Sequence, residues 1–239
     1  MSGHSKWSNI KRKKEITDGA KAKVFTKMGR EISIAVREGG ADLSSNFKLA
    51  AIVTKAKANN VPNDNIERAI KKAAGADNKD EYEVIMYEGY GPAGVAFMVE
   101  TVTDNRNRTA GDLRHFFDKN GGNLGQSGCV SFMFNQKGVI IVNAEDIDEE
   151  KLTEACIDAG AEDIALEDDR FVITTAPAAL ETVGTALQKA GYKLESEETA
   201  YIPATCTKVT DEDALTRLNK LIDALDDNDD VTDYWHSME

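Results

Sequence analysis

Apolar side chains recur at three- and four-residue intervals in the first third of the chain, then give way to short runs and alternation. After Asp18, read as an N-cap, Phe25, Met28, Ile32, Ala35 and Val36 mark one face of a helix that Gly39 and Gly40 end. Leu49, Ile52, Val53 and Ala56 form the stripe of a second helix over 45–59, with Ser44 or Ser45 as cap. A third helix starts at Pro62, a residue suited to a first helical turn, and stops before Gly75. Its stripe is Ile66, Ala69, Ile70 and Ala73. Three short amphipathic helices can share one modest core, so the pattern predicts a small helical bundle.

Residues 76–80 read as a linker, and mixed α and β patterning follows. Strands are predicted over 84–88 and 95–102, joined by a turn rich in glycine. Thr109 with Asp112 reads as a capping box for a helix carrying Leu113, Phe116 and Phe117, and 129–134 as the next strand. Then come a strand at 138–142, a helix at 148–159, a hairpin of 164–167 and 170–174 across Asp168 and Asp169, a helix at 177–190 and a strand within 192–202. This βαββαβ order is the ferredoxin-like arrangement. The tail, a strand at 207–209, a helix at 211–225 and a strand at 231–235, has no fold by itself. Joined to the elements before residue 135, it completes a second α+β unit. The predicted fold is therefore α+β and multi-domain: an N-terminal helical bundle, then two ferredoxin-like α+β domains, the third inserted in the second. The boundaries are 1–76, then 80–135 with 203–239, and 136–202.

Charge changes the picture more than composition does. The formal net charge is -13 over 239 residues. Residues 1–76 hold 16 Lys and Arg against 7 Asp and Glu, a net of +9, and the remainder hold 13 against 35, a net of -22. The basic part suits approach to a polyanion, and the acidic part would be repelled by one. No apolar run approaches the roughly 20 residues of a membrane span, and no apolar segment follows the basic start as in a secretory signal. Cys129, Cys156 and Cys206 are far apart and outside any CxxC spacing. They read as reduced thiols, so the expected setting is the cytoplasm.

Candidate chemistry concentrates at the N-terminus. Residues 3–14 read GHSKWSNIKRKK. Lys6, Lys11, Arg12, Lys13 and Lys14 can each neutralise a phosphate and release counterions. Trp7 can stack on an unpaired base, and His4 can hydrogen-bond a base or phosphate. Behind this arm, Lys21, Lys23, Lys27 and Arg30 lie on the first helix, and Arg68 and Lys72 share a face of the third. Tyr87 and Tyr90 sit in YEGYGP at 87–92, where they could present ring faces or pack in the core. Arg106 and Arg108 sit in DNRNRT at 104–109, where two arginines beside amides suit a phosphate backbone. GGNLGQSG at 121–128 lacks the GK[ST] ending of a nucleotide loop, so its glycines read as backbone punctuation. Asp226, Asp227, Asn228, Asp229 and Asp230 begin like a calcium loop, but Val231 stands where the glycine is needed and Ser237 where the bidentate Glu belongs. They read as a solvated turn. His4, His115 and His236 fall in different segments. No metal site, cofactor or catalytic constellation is expected.

GHSKW at 3–7, VFTKMGREI at 24–32, NIERAIKKAAG at 65–75, YEGYGP, DNRNRT and GGNLGQSG occur in that order. Together they resemble the YebC family, which includes the mitochondrial translational activator of cytochrome c oxidase. The resemblance spans nearly the whole chain. It implies three domains and a non-enzymatic regulator of gene expression, generally described in bacteria as a DNA-binding transcriptional regulator. Ribosome-associated roles have also been described. The residues by themselves favour nucleic acid as the partner, DNA or ribosomal RNA. Trp7 favours unpaired RNA bases over duplex DNA. The acidic lobes leave room for contacts with a ribosome or with basic proteins.

Overall fold

The computed structural model describes residues 18–75, 81–167 and 169–239, with the backbone alone over 18–22. The predicted arm and linker and Asp168 in the hairpin turn lie outside the described residues. Three helices come first, α1 (Asp18–Gly39), α2 (Phe47–Ala58) and α3 (Asn63–Ala74). Their stripes meet in one core: Met28, Ile32, Ala35 and Val36 pack with Leu49, Ile52, Val53, Ala56 and Ile66.

The turn between α1 and α2 corrects the predicted cap. Gly40 adopts φ +83, which ends α1 at little steric cost. Asn46, not Ser44 or Ser45, then caps α2: its Oδ1 accepts from the Leu49 N–H at 3.0 Å. Its Nδ2 donates to the Ala35 and Gly40 carbonyls at 2.8 and 2.7 Å. One amide thus serves two helix ends, which a serine hydroxyl has too few hydrogens to do. Ser44 is instead turned to the Asp42 carboxylate.

The first sheet runs β3 (Asn123–Leu124), β1 (Glu83–Tyr90), β2 (Ala96–Thr103), β8 (Val231–His236), all antiparallel. Two helices cover one face, α4 (Arg106–Lys119) and α7 (Glu212–Asp227). Between β3 and α7 the chain builds the second sheet from β4 (Phe134–Asn143), β5 (Asp163–Glu167), β6 (Arg170–Thr175) and β7 (Leu194–Pro203). Its order is β5-β6-β4-β7, again antiparallel, with α5 (Glu149–Ala159) and α6 (Leu180–Lys189) on one face. This is the βαββαβ order with the ferredoxin-like strand arrangement. The first sheet opens instead on the β1–β2 hairpin.

Alternation along two strands explains how the sheets meet. On β2, Phe97 and Val99 face α4 and α7, while Ala96 and Met98 face the other way. On β4, Ile140 and Val142 face α5 and α6, while Val139 and Ile141 face the other way. The outward sets join Val130, Phe134, Val172, Ala200 and Trp235 in one shared core. The body is therefore four layers, helices, sheet, sheet, helices, and β2 and β4 are buried on both faces. Each large side chain in that shared core contributes about 1.5–3 kcal/mol that neither sheet would gain alone. The head closes against this body. Residues 32–36 of α1 are all buried, because α1 touches α2 and α3 on one side and β2 and β8 on another.

Three sequence expectations are corrected. Asn105, not Thr109, caps α4, with Oδ1 accepting from the Arg108 N–H at 3.1 Å. The helix thus starts four residues early and carries Thr109, buried, at the end of an otherwise exposed first turn. The strand expected at 129–134 is a 3-10 turn over Ser131–Met133 that leads into β4. The strand expected at 207–209 is a single parallel bridge, Thr207 to Met238.

Candidate nucleic-acid interface

The arm residues His4, Lys6, Trp7, Lys11, Arg12, Lys13 and Lys14 lie outside the described residues, as does the side chain of Lys21. The described cations divide into two groups. Lys23, Lys27 and Arg30 recur along one stripe of α1, and that stripe meets the end of α7 and the following turn. Lys23 Nζ pairs with Asp227 Oδ1 at 2.9 Å. Lys27 Nζ donates to the Asp226 carbonyl at 2.9 Å, and Arg30 Nη1 to the Asp229 carbonyl at 2.9 Å and the Val102 carbonyl at 3.1 Å. A helix C-terminus presents carbonyls that lack intrahelical donors, and cations are favoured there. Burial pulls Lys27 below the usual lysine value, although Asp226, Asp233 and Asp229 oppose that.

Asp230 is the centre of the contact. It is 3% exposed, so it is no solvated turn residue. Arg30 pairs with its Oδ1, Arg108 Nη2 reaches Oδ2 at 2.9 Å, and Thr109 Oγ1 donates to Oδ2 at 2.7 Å. Burial alone would raise this carboxyl, but the hydrogen bonds from Thr109, Arg108 and Arg30 outweigh it and hold it below the usual value. Arg108 also pairs with Asp104 at 2.8 Å, and Arg106 with Glu83 at 3.0 Å. The structure thus brings Arg30 and Arg108, far apart in sequence, to one carboxylate. This reach across the fold has no signature in local spacing.

A second cluster joins the head to both sheets. Lys55 Nζ of α2 lies 2.7 Å from Asp233, 3.2 Å from Glu198 and 3.8 Å from Glu31. Burial pushes the Glu31 carboxyl up to about 7, against the pull of Lys55 and with Asp233, Glu100 and Glu198 adding to the rise. Burial also raises Glu100.

The second group of cations faces outward. Arg68, Lys71 and Lys72 of α3 are exposed, with Arg68 Nη1 3.5 Å from Asn65 Oδ1. The two tyrosines of YEGYGP are half-buried: Tyr87 OH donates to the Arg106 carbonyl at 3.4 Å, and Tyr90 OH to the Cys129 carbonyl at 3.1 Å. Burial raises Tyr87 above the usual tyrosine value, with Arg106 opposing.

YEGYGP and GGNLGQSG come together as one unit. β3 pairs with β1 at Tyr90 and Gly89. A Cβ at Gly122 would lie 2.4 Å from the Tyr90 carbonyl oxygen, so only glycine allows this approach. The Glu88 carboxylate between them is buried and accepts the N–H groups of Gly128, Val130 and Ser131 at 2.7–2.8 Å. Burial favours its neutral form, yet the three backbone donors prevail and hold the carboxyl below its usual value. Sequence reading passed over Glu88. Its signal was an acidic residue at the end of a strand that runs into a glycine-rich turn.

A basic three-helix head clasped by carboxylates to a four-layer, two-sheet body defines a multi-domain mixed α/β protein. The chain belongs to the TACO1/YebC family: residues 5–76 match the family's N-terminal domain, and residues 82–238 its second and third domains. It is 57% identical over 240 residues to a "probable transcriptional regulatory protein" of Ruminiclostridium cellulolyticum, covering all of this chain and 97% of that one. It is 53% identical over 241 residues to a protein of the same description from Agathobacter rectalis, covering both in full. A crystal structure of a conserved hypothetical protein from Aquifex aeolicus superposes with a TM-score of 0.87 at 42% identity, covering 98% of this chain and 97% of that one. Among the described residues, no helix is long and apolar enough to cross a membrane.

Proposed function

We propose that the chain is a non-enzymatic, nucleic-acid-binding regulator of gene expression that works without a cofactor in the cytoplasm. The observation that carries this reading is the charge separation, +9 over residues 1–76 against -22 over the rest. The structure refines it. Lys23, Lys27, Arg30, Arg37 and Lys55 of the head are engaged by the body. Phosphate contacts therefore fall to the arm, with Lys6, Lys11, Arg12, Lys13, Lys14, His4 and Trp7, and to the exposed Arg68 and Lys72 of α3. Arg106 and Arg108, exposed but ion-paired on the body, are a further candidate contact. The descriptions carried by the relatives favour a transcriptional regulator. In our reading its arm lies on the phosphate backbone and its acidic body meets other proteins.

A second reading, a ribosomal-RNA-binding translation factor, is favoured by a specific feature. A body of net charge -22 cannot lie along duplex DNA without strong repulsion, whereas a ribosome offers basic proteins beside its RNA. Ultraviolet crosslinking in living cells, followed by sequencing of the attached nucleic acid, separates the two. Discrete DNA sites support the transcriptional reading, and crosslinks concentrated on ribosomal RNA support the translational one. Recovery of neither rejects the proposal.

A further inference from the structure

Phe132 is 77% exposed, more than any other large apolar residue noted at the described surface. It stands on the 3-10 turn over Ser131–Met133. This turn is held from below: Glu88 accepts the N–H groups of Val130 and Ser131 at its start, Tyr90 OH donates to the Cys129 carbonyl, and the Met133 carbonyl accepts from the Ala204 N–H at 2.8 Å. A buried carboxylate satisfied by three backbone donors is costly to rearrange, so the turn is fixed before any partner arrives. The neighbouring sequence is unusual for a chain in which 30% of residues are charged: no Asp, Glu, Lys or Arg occurs between residues 120 and 136. The -22 that repels phosphates elsewhere is locally absent.

We propose that Phe132 is a stacking platform for an unpaired base of single-stranded RNA, a second contact beside the N-terminal arm. This rests on the nucleic-acid reading above. A ring on a rigid mount needs little ordering to stack, and every base has a π-face to offer it. An unpaired base is favoured over an apolar protein pocket because the ring stands alone. Ser131 and Met133 beside it are half-buried, and the exposed residues that follow, Asn135 and Gln136, are amides suited to base edges. Docking with a protein through an apolar anchor would call for a contiguous apolar patch around it. A duplex hides its base faces and gains nothing from the ring.

The test is fluorescence anisotropy of the full chain with a labelled single-stranded RNA of about 12 nucleotides and a DNA duplex of equal length. The proteins are the wild type, Phe132→Ala, Phe132→Trp, and a variant with Lys11, Arg12, Lys13 and Lys14 all changed to Ala. Phe132→Ala should weaken RNA binding about tenfold and leave the salt slope and duplex binding unchanged. Phe132→Trp should restore it. Full affinity in Phe132→Ala, with weakened binding in the arm variant, overturns the platform and leaves the nucleic-acid reading standing. An equal loss on RNA and duplex also overturns stacking. No binding of either probe by the wild type removes both.

Discussion

Lys55 Nζ lies 2.7 Å from Asp233 Oδ2, and this contact joins the helical head to the last strand of the first sheet. Glu31 and Glu198 crowd the same ammonium, so one lysine faces three carboxylates at the junction of head and body. Burial disfavours the charged lysine, yet Asp233, Glu31 and Glu198 keep it well above the usual value. Replacing it strands buried negative charge. Lys55→Met should therefore cost about 3–5 kcal/mol, read as a lower urea midpoint. A loss under about 1 kcal/mol would show that the carboxylates simply take up protons instead.

The same junction sets a pH dependence. Glu31 Oε1 is buried without a hydrogen-bond partner, and its carboxyl is pushed up to about 7 from an ordinary 4.5. A carboxyl with a raised folded-state value binds its proton more tightly folded than unfolded. Its contribution is thus complete below about 4.5 and declines as pH climbs to about 7. Glu197, pushed up to about 7 by burial and then by Glu181, acts with the same sign. The urea midpoint should fall between pH 5 and pH 8, and Glu31→Gln should remove part of that fall. An identical pH profile in Glu31→Gln would exclude Glu31 as a source.

Asp230 and Asp227 both pair with cations of α1 but differ in burial. Asp230→Ala removes the buried carboxylate that Arg30, Arg108 and Thr109 share and should cost about 3–5 kcal/mol. Asp227 and its partner Lys23 are largely solvated, so Asp227→Ala should cost at most about 1 kcal/mol. Thermal melts of the two variants compare them directly, and equal losses would contradict the account of Asp230 as the centre of the clasp.

The two groups of cations should separate in binding. Changing Lys11, Arg12, Lys13 and Lys14 to Ala should lower the salt slope of RNA affinity by about 3, from roughly 0.7 per phosphate neutralised on a single strand. Changing Lys23 and Lys27 to Ala should leave the slope nearly intact and loosen the head instead, seen as faster proteolysis near residues 76–80. A slope that falls as far in the second variant would return the α1 cations to the nucleic-acid face.

Much of this architecture is legible in the pattern of residues. Met28, Ile32, Leu49 and Ile52 repeat at helical intervals, and that periodicity predicts the head. The order of strands and helices from 138 to 202 predicts the ferredoxin-like arrangement. Local signals failed where a side chain had two possible partners. Ser44 and Thr109 are good caps by type, but Asn46 and Asn105 reached the free N–H groups first. Of the site, the arm's charge and Trp7 could be read directly. Asp230, Glu88 and Phe132 could not, since each is defined by what lies across the fold from it.

The sequence by itself determined the helices, most strands, the division of charge and the family, because periodicity, turn residues and net charge are properties of neighbours along the chain. Only the tertiary structure decided that the two sheets share a core, that the α1 cations clasp the chain's own acidic turn, and that Tyr90 turns inward while Phe132 stands out. Burial and ion pairing depend on distance in space. Lys23 meets Asp227, 204 residues away, and no pattern of neighbours encodes that meeting.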